Sequence, residues 1–396
     1  MKPAAHPLKL ALAGAALLAG AACVLYVAAC GAWWLKLAAQ RRLAPRTIES
    51  GFVRHPYLTG EHVPGQVIVE PAPKGSGASN YVWRLNAQGC RDDRDYRVGK
   101  APGTTRWLCL GGSALVSGSG NALTIPALLA SGANAARKPG APALEVLNFG
   151  RVGWDSTQEL FFLATEGRAW RPDYLLVYDG RNDAFQATLP SYRPFWNAWG
   201  REMAEELNRR SATRDLFYPL WRALGKARDL RDPRSAAERQ AHQLFQERAR
   251  GEWDFYRAHL EVGAAYEGNL RALLALAREW GCRGAVLALQ PQIDWLGAPL
   301  TAGEARMAGR FQPSWRQAMR ELYPTIRAAH RAAAEGAGLP VLEADLNPLL
   351  RGGGEALFMD DCHLTDRGNA AAAEALRPFL ERAAAGAGAR SGQKLM

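Results

Sequence analysis

The chain is short of the residues that would mark several common chemistries. Six cysteines in 396 residues are too few for a disulfide-dense scaffold. No Cys-x-x-Cys and no His-x-x-x-His occurs, so metal ligation at familiar spacing is not expected and neither metal nor cofactor is assigned. There is no G-x-S-x-G, which removes the nucleophile elbow of one large hydrolase fold. There is no G-x-x-x-x-G-K-[ST], so phosphate cradling of the P-loop kind is unsupported. No internal repeat is seen, and low complexity is confined to an Ala/Gly-rich tail after Arg382. With 48% hydrophobic and 22% charged residues, the chain is not broadly disordered.

What is present begins with charge. The net charge is +11, but six of those positives (Lys2, Lys9, Lys36, Arg41, Arg42, Arg46) precede the first acid, Glu49. The folded part therefore lacks the concentrated basic face of a nucleic-acid binder, and no such partner is expected. Residues 10–35 form a run of 26 without a charged side chain, ending near Trp33 and Trp34. About 20 apolar residues cross a bilayer as a helix, so an N-terminal transmembrane anchor is expected. Two other readings stay open: a cleaved signal peptide, and lipoprotein processing at Val27-Ala28-Ala29-Cys30. The basic residues just after the run favour the main domain on the cytoplasmic side.

Five short apolar runs end in turn-forming residues. They cover 106–110, 145–149, 174–178, 285–289 and 341–344, and stop at Gly111, Gly150, Asp179-Gly180, Pro291 and Asp345. Helical spacing lies between them, as in Tyr266, Leu270, Leu273, Leu274 and Ala277. Ser156-Thr157-Gln158-Glu159 has the form of a capping box. A further helix is expected at 370–377, ended or kinked by Pro378. Strands alternating with helices imply an α/β fold with a parallel sheet covered on both faces, and ligands at the carboxyl ends of its strands. The expected organisation is an anchor and basic flank over 1–46 and a linker and lead-in over 47–100. An α/β domain follows over 101–385, then a flexible tail over 386–396. Within that domain, 184–260 holds 12 of the 36 aromatics and reads as a helical insertion, either capping the sheet edge or packing on itself.

The strand ends carry the candidate chemistry. Ser113 follows two glycines in Gly111-Gly112-Ser113 and can present a hydroxyl and its own amide to one point. Gly153 offers an unobstructed amide before a helix start. Asn182, in Gly180-Arg181-Asn182-Asp183, can donate to a developing oxyanion. Asp360 stands three residues before His363 and can orient its imidazole toward a serine. Taken singly, each has a commoner structural use: a helix cap for the serine, turn geometry for the glycine, an Asx turn for the asparagine. Asp361 and Asp366 read as acids solvating a surface loop, and Cys362 as a small packing residue.

Taken in order, these pieces resemble the SGNH (GDSL-type) hydrolase superfamily over about residues 80–382, outside the insertion. The most specific piece is Asp360-Asp361-Cys362-His363-Leu364-Thr365-Asp366-Arg367-Gly368-Asn369. Leu85-Asn86-Ala87-Gln88-Gly89-Cys90-Arg91 is similar to the lead-in of membrane-anchored bacterial members. The resemblance implies a flavodoxin-like three-layer sandwich with a parallel five-stranded sheet. It implies Ser113 as nucleophile, His363 as general base and Asp360 as its orienting acid. The Ser113 amide, Gly153 and Asn182 become the oxyanion hole. Gly112 departs from the family's Gly-Asp-Ser, and Cys90 replaces an aromatic residue.

The activity so implied is cleavage of an ester, an O-acyl or O-acetyl group of an envelope glycan or lipid, through an acyl-enzyme. An O-acyltransferase using the same triad is the first alternative, and a non-catalytic envelope binding or assembly protein the second. The expected partners are an acylated carbohydrate or lipid and, through the N-terminal helix, the membrane. The family's habit places the domain on the extracytoplasmic side, against the charge argument.

Overall fold

The computed structural model describes residues 61–71, 80–188, 255–296, 299–350 and 355–384. It also describes Phe52, Val53, Leu58 and scattered positions between 14 and 28. The backbone divides into Met1–Pro45 with Glu205–Arg234, and Arg46–Ala204 with Ser235–Met396. In the first unit the described positions are helical. Among the described residues no helix is long and apolar enough to cross a membrane. Most of the expected anchor and most of the 184–260 insertion lie outside the described residues.

The second unit opens with short antiparallel pairs: β1 (Phe52–Val53) with β2 (Glu61–His62), and β3 (Val67–Pro71) with β4 (Asn80–Arg84). There follow β5 (Thr104–Gly111), α1 (Ser113–Val116), α2 (Ile125–Ala135), β6 (Ala143–Asn148), α3 (Ser156–Thr165), β7 (Tyr174–Asp179) and α4 (Arg181–Ala187). The chain is described again from α5 (Phe255–Glu279), then β8 (Gly284–Leu289), α6 (Ala302–Ala308), α7 (Pro313–Glu335), β9 (Val341–Asp345) and α8 (Asp366–Ala384). The five expected strands form one parallel sheet in the order β6-β5-β7-β8-β9.

The strands are largely apolar on both faces because both faces are covered. In β5, Leu108 and Leu110 enter one core with Tyr266, Leu273, Met319 and Ile326 of α5 and α7. Their neighbours Trp107 and Cys109 enter the other, with Leu129 of α2 and Leu376 and Phe379 of α8. In β7, Leu175 and Val177 alternate in the same way with Tyr174, Leu176 and Tyr178. The result is three layers: helices, sheet, helices.

Two local expectations are revised. Asp155, not Ser156, caps α3: its carboxylate accepts from the amides of Thr157 and Gln158. Ser156 turns instead to Asp183, and Glu159 is fully buried. Pro378 does not end its helix, one of the two outcomes expected there, because α8 continues to Ala384. Burial of Phe379 and Leu380 outweighs a proline cost of about 3 kcal/mol. Residues 80–100, within the stretch expected as linker and lead-in, pack onto the α/β domain. Tyr96 joins the first core, and the fully buried Arg91 donates to the carbonyls of Val82, Val116 and Gly118 and to Asn121 Oδ1. Arg91 also lies over the Trp83 ring at 4.1 Å. The lead-in thus grips the loop that follows Ser113.

Candidate active site

Ser113 starts α1 at the carboxyl end of β5. Two glycines before it are sterically required. A Cβ on Gly111 would lie 2.6 Å from the Tyr178 carbonyl oxygen. One on Gly112 would lie 2.4 Å from Asn182 Nδ2 and 2.9 Å from the Trp154 carbonyl oxygen. A side chain at 112, such as the aspartate of Gly-Asp-Ser, would have to displace Asn182 or the Trp154 carbonyl. The same contacts show that the serine turn, the Gly153-Trp154 turn and Asn182 meet at one place. Gly153 adopts φ +78°, a conformation that favours glycine. Asn182 Nδ2 donates to the Trp154 carbonyl oxygen at 2.6 Å.

His363 reaches this point from the segment between β9 and α8, which leaves the sheet at the same carboxyl edge. Its Nε2 lies 2.7 Å from Ser113 Oγ, and its Nδ1 lies 2.6 Å from Asp360 Oδ2. Asp360 Oδ1 accepts from the amides of Cys362 and His363, at 2.9 and 2.7 Å. A carboxylate so placed accepts a hydrogen bond from Nδ1–H, which fixes that tautomer and leaves the Nε2 lone pair facing the serine hydroxyl. Burial works against both charges, but each is favoured by its partner. His363 and two amides hold Asp360 well below the usual carboxylate range, and Asp360 raises His363 well above the ordinary imidazole value.

The rest of the signature locks this loop in place. Thr365 Oγ1 accepts from the Gly368 amide, and a Cβ on Gly368 would lie 2.3 Å from the Leu357 carbonyl oxygen. Asn369 Nδ2 donates to the carbonyls of Ser117 and Leu123, each at 2.9 Å. Asp366 accepts from the amide and hydroxyl of Ser119. Asp366 is therefore a tie between two loops rather than a solvating acid. Asp361 is likewise buried, paired with Arg181 at 2.6 Å. Cys362 is buried, and burial pushes its thiol up. The four described cysteines are free.

Sequence reasoning missed two features. One is Arg181, which reads as the variable position of Gly-x-Asn-Asp. The other is a buried group of carboxylates behind Asn182: Asp155, Glu159, Asp179 and Asp183. Ser156 Oγ donates to Asp183, and Tyr266 Oη to Asp179, each at 2.5 Å. Asn269 Nδ2 donates to Ser156 Oγ and Thr157 Oγ1. Among the described residues, no ion pair joins Glu159, Asp179 or Asp183 to a cation. Burial first, then the neighbouring carboxylates, raises Glu159 and Asp179 well above the usual range. Burial raises Asp183 to about 6.

Asp360, Cys362 and His363 also place potential ligand atoms within 4.8 Å of one another. A cation there would have to displace the Asp360–His363 hydrogen bond and deprotonate a thiol that burial keeps neutral. The donor set fits a proton relay better than a metal.

No family model matches the chain, and no curated protein does. Solved structures do resemble it. An α/β hydrolase from the metagenome of Lake Arreo, Spain, is 16% identical, with 73% of this chain and 97% of that chain covered and a TM-score of 0.38. An acetylxylan esterase of Geobacillus stearothermophilus is 15% identical over 70% of this chain and 94% of that one, with a TM-score of 0.37. A GDSL-like lipase of Parabacteroides merdae is 15% identical over 71% and 96%, with a TM-score of 0.39. What this chain does is argued below from its own residues.

Proposed function

We propose that the protein is a serine hydrolase of the SGNH type that cleaves an ester through an acyl-enzyme. The observation that carries this reading is the continuous relay from Ser113 Oγ through His363 to Asp360, with contacts of 2.7 and 2.6 Å. His363 Nε2 takes the Ser113 proton as Oγ attacks the acyl carbonyl. The Ser113 amide, Gly153 and the Asn182 amide receive the oxyanion. Removing one such donor typically costs about 10²–10³ in rate. His363 then gives its proton to the departing alkoxide. Water, activated by His363, releases the acyl group and restores Ser113. A sugar hydroxyl entering in place of water would give acyl transfer from the same intermediate.

We further propose that the substrate is an O-acyl or O-acetyl group of an envelope glycan or lipid. Support comes from the uncharged run over 10–35, long enough to anchor the enzyme beside such material. The proposal includes an extracytoplasmic catalytic domain, which a reporter fused after Met396 tests. Hydrolysis of p-nitrophenyl acetate tests the chemistry. The wild type should turn over and Ser113→Ala, folded, should not. A wild type inert across short acyl esters would favour the non-catalytic reading.

A further inference from the structure

Arg181 occupies the position between two parts of the site that the sequence keeps 180 residues apart. Its Nε and Nη2 donate to Asp361 Oδ2 at 3.1 and 2.6 Å, and its Nη1 donates to Asn182 Oδ1 at 3.1 Å. Asp361 sits between Asp360 and His363, and its backbone oxygen accepts from the Ile293 amide at 2.8 Å. The pair is withdrawn from solvent, with side chains 12% and 9% exposed, and the guanidinium lies over the Phe185 ring at 4.7 Å. An exposed pair of this kind would contribute little. A buried fork with three donors engaged fixes geometry.

The consequence falls on the Asn182 amide. An asparagine amide can flip, exchanging its oxygen and nitrogen. Here one end faces a cationic donor and the other a carbonyl oxygen, that of Trp154 at 2.6 Å. The flipped form would set an NH₂ against the guanidinium and an oxygen against the carbonyl, repelling at both ends. Trp154 takes one Nδ2 hydrogen, and the other is left for an oxyanion. A cation on Oδ1 also draws electron density from the amide and makes Nδ2–H a stronger donor.

We propose that Arg181 is a positioning residue for the oxyanion hole: held by Asp361 of the triad loop, it fixes the orientation of the Asn182 amide and strengthens its remaining N–H. The proposal rests on the serine-hydrolase reading above. It explains why an arginine next to Asn182 and an aspartate next to Asp360 are paired and withdrawn from solvent.

The test uses the full chain and two readouts. In p-nitrophenyl acetate hydrolysis, Arg181→Gln should lower kcat about tenfold or more with KM changed less than about twofold. In an Asn182→Ala background the same substitution should change kcat by less than about twofold, because the amide it acts through is gone. Asp361→Asn, which keeps Arg181 but loosens its hold, should lower kcat in the same direction by less. It serves should Arg181→Gln not fold. An unchanged kcat, or a full drop persisting in Asn182→Ala, overturns the proposal. The second readout needs no turnover. In ¹⁵N-labelled protein the Asn182 side-chain amide should exchange with water at least about tenfold faster in Arg181→Gln or Asp361→Asn than in the wild type. Equal exchange rates overturn the proposal. A wild type with no hydrolysis and no labelling at Ser113 contradicts the hydrolase reading instead, and amide exchange then decides for Arg181 alone.

Discussion

Asn369, in α8, donates its side-chain amide to the carbonyl of Ser117, four residues past Ser113, at 2.9 Å. This bond and its twin to Leu123 join the loop bearing His363 to the loop bearing Ser113. Asn369 is fully buried, so its removal strands two carbonyls as well as loosening the site. Asn369→Ala should cost on the order of 2–4 kcal/mol in urea unfolding. It should also lower kcat in the protein that remains folded. Loss of less than about 0.5 kcal/mol would show that the two loops hold together without it.

The ionisation of His363 sets the acid limb of activity. Only its neutral form can take the Ser113 proton. Asp360 raises its pKa, so kcat/KM should fall as pH drops through a value above 6.5. Asp360→Asn removes the partner, and the limb should move to lower pH while kcat drops steeply, as the imidazole loses its orienting acceptor. A limb that stays in place after Asp360→Asn would separate the two residues.

The buried carboxylates predict a pH dependence of stability of the opposite sign to ordinary acid unfolding. Asp183 titrates near 6 when folded, above the ordinary aspartate value of about 3.9. The folded state therefore binds more protons between about pH 4 and 6, and stability from this group is full below that window and lost as pH rises through it. Asp183→Asn keeps an oxygen acceptor for Ser156 Oγ. It should gain on the order of 2–3 kcal/mol relative to wild type between pH 4 and pH 7. Urea midpoints at the two pH values measure this; an equal difference at both would place the Asp183 proton elsewhere.

Gly112 provides a steric test of the oxyanion hole. A methyl group there would meet Asn182 Nδ2 at 2.4 Å and the Trp154 carbonyl at 2.9 Å. Gly112→Ala should displace Asn182 and cut kcat by about 10² or more, with a smaller effect on folding. Gly112→Asp, which restores the pattern of the resembled family, should be no better. Wild-type activity in either variant would mean that Asn182 does not face the reaction.

The strands and the side chains of the candidate site were legible because each carries a local signal. Apolar runs that stop at Gly, Asp or Pro marked the five strands, and Asp-x-x-His-Leu-Thr-x-x-Gly-Asn compresses orientation, capping and loop clamping into ten residues. Arg181 and Asp361 carried no such signal. An ion pair between residues 180 apart looks in sequence like two solvated charges, and only the fold shows both buried. The same holds for Ser156. Its spacing to Glu159 fits a capping box, yet Asp155 captures the free amides and Asp183 captures the Ser156 hydroxyl. At Pro378, where the sequence pattern allows an ended or a kinked helix, burial of Phe379 and Leu380 carries the helix on.

The central claim, that Ser113 is a nucleophile activated by His363, is tested most directly by fluorophosphonate labelling of the full chain with mass-spectrometric mapping of the adduct. One adduct on Ser113 is predicted, lost in Ser113→Ala and slowed at least about 10²-fold in His363→Ala. A folded protein left unmodified, or labelled at another residue while Ser113 stays free, would contradict the account.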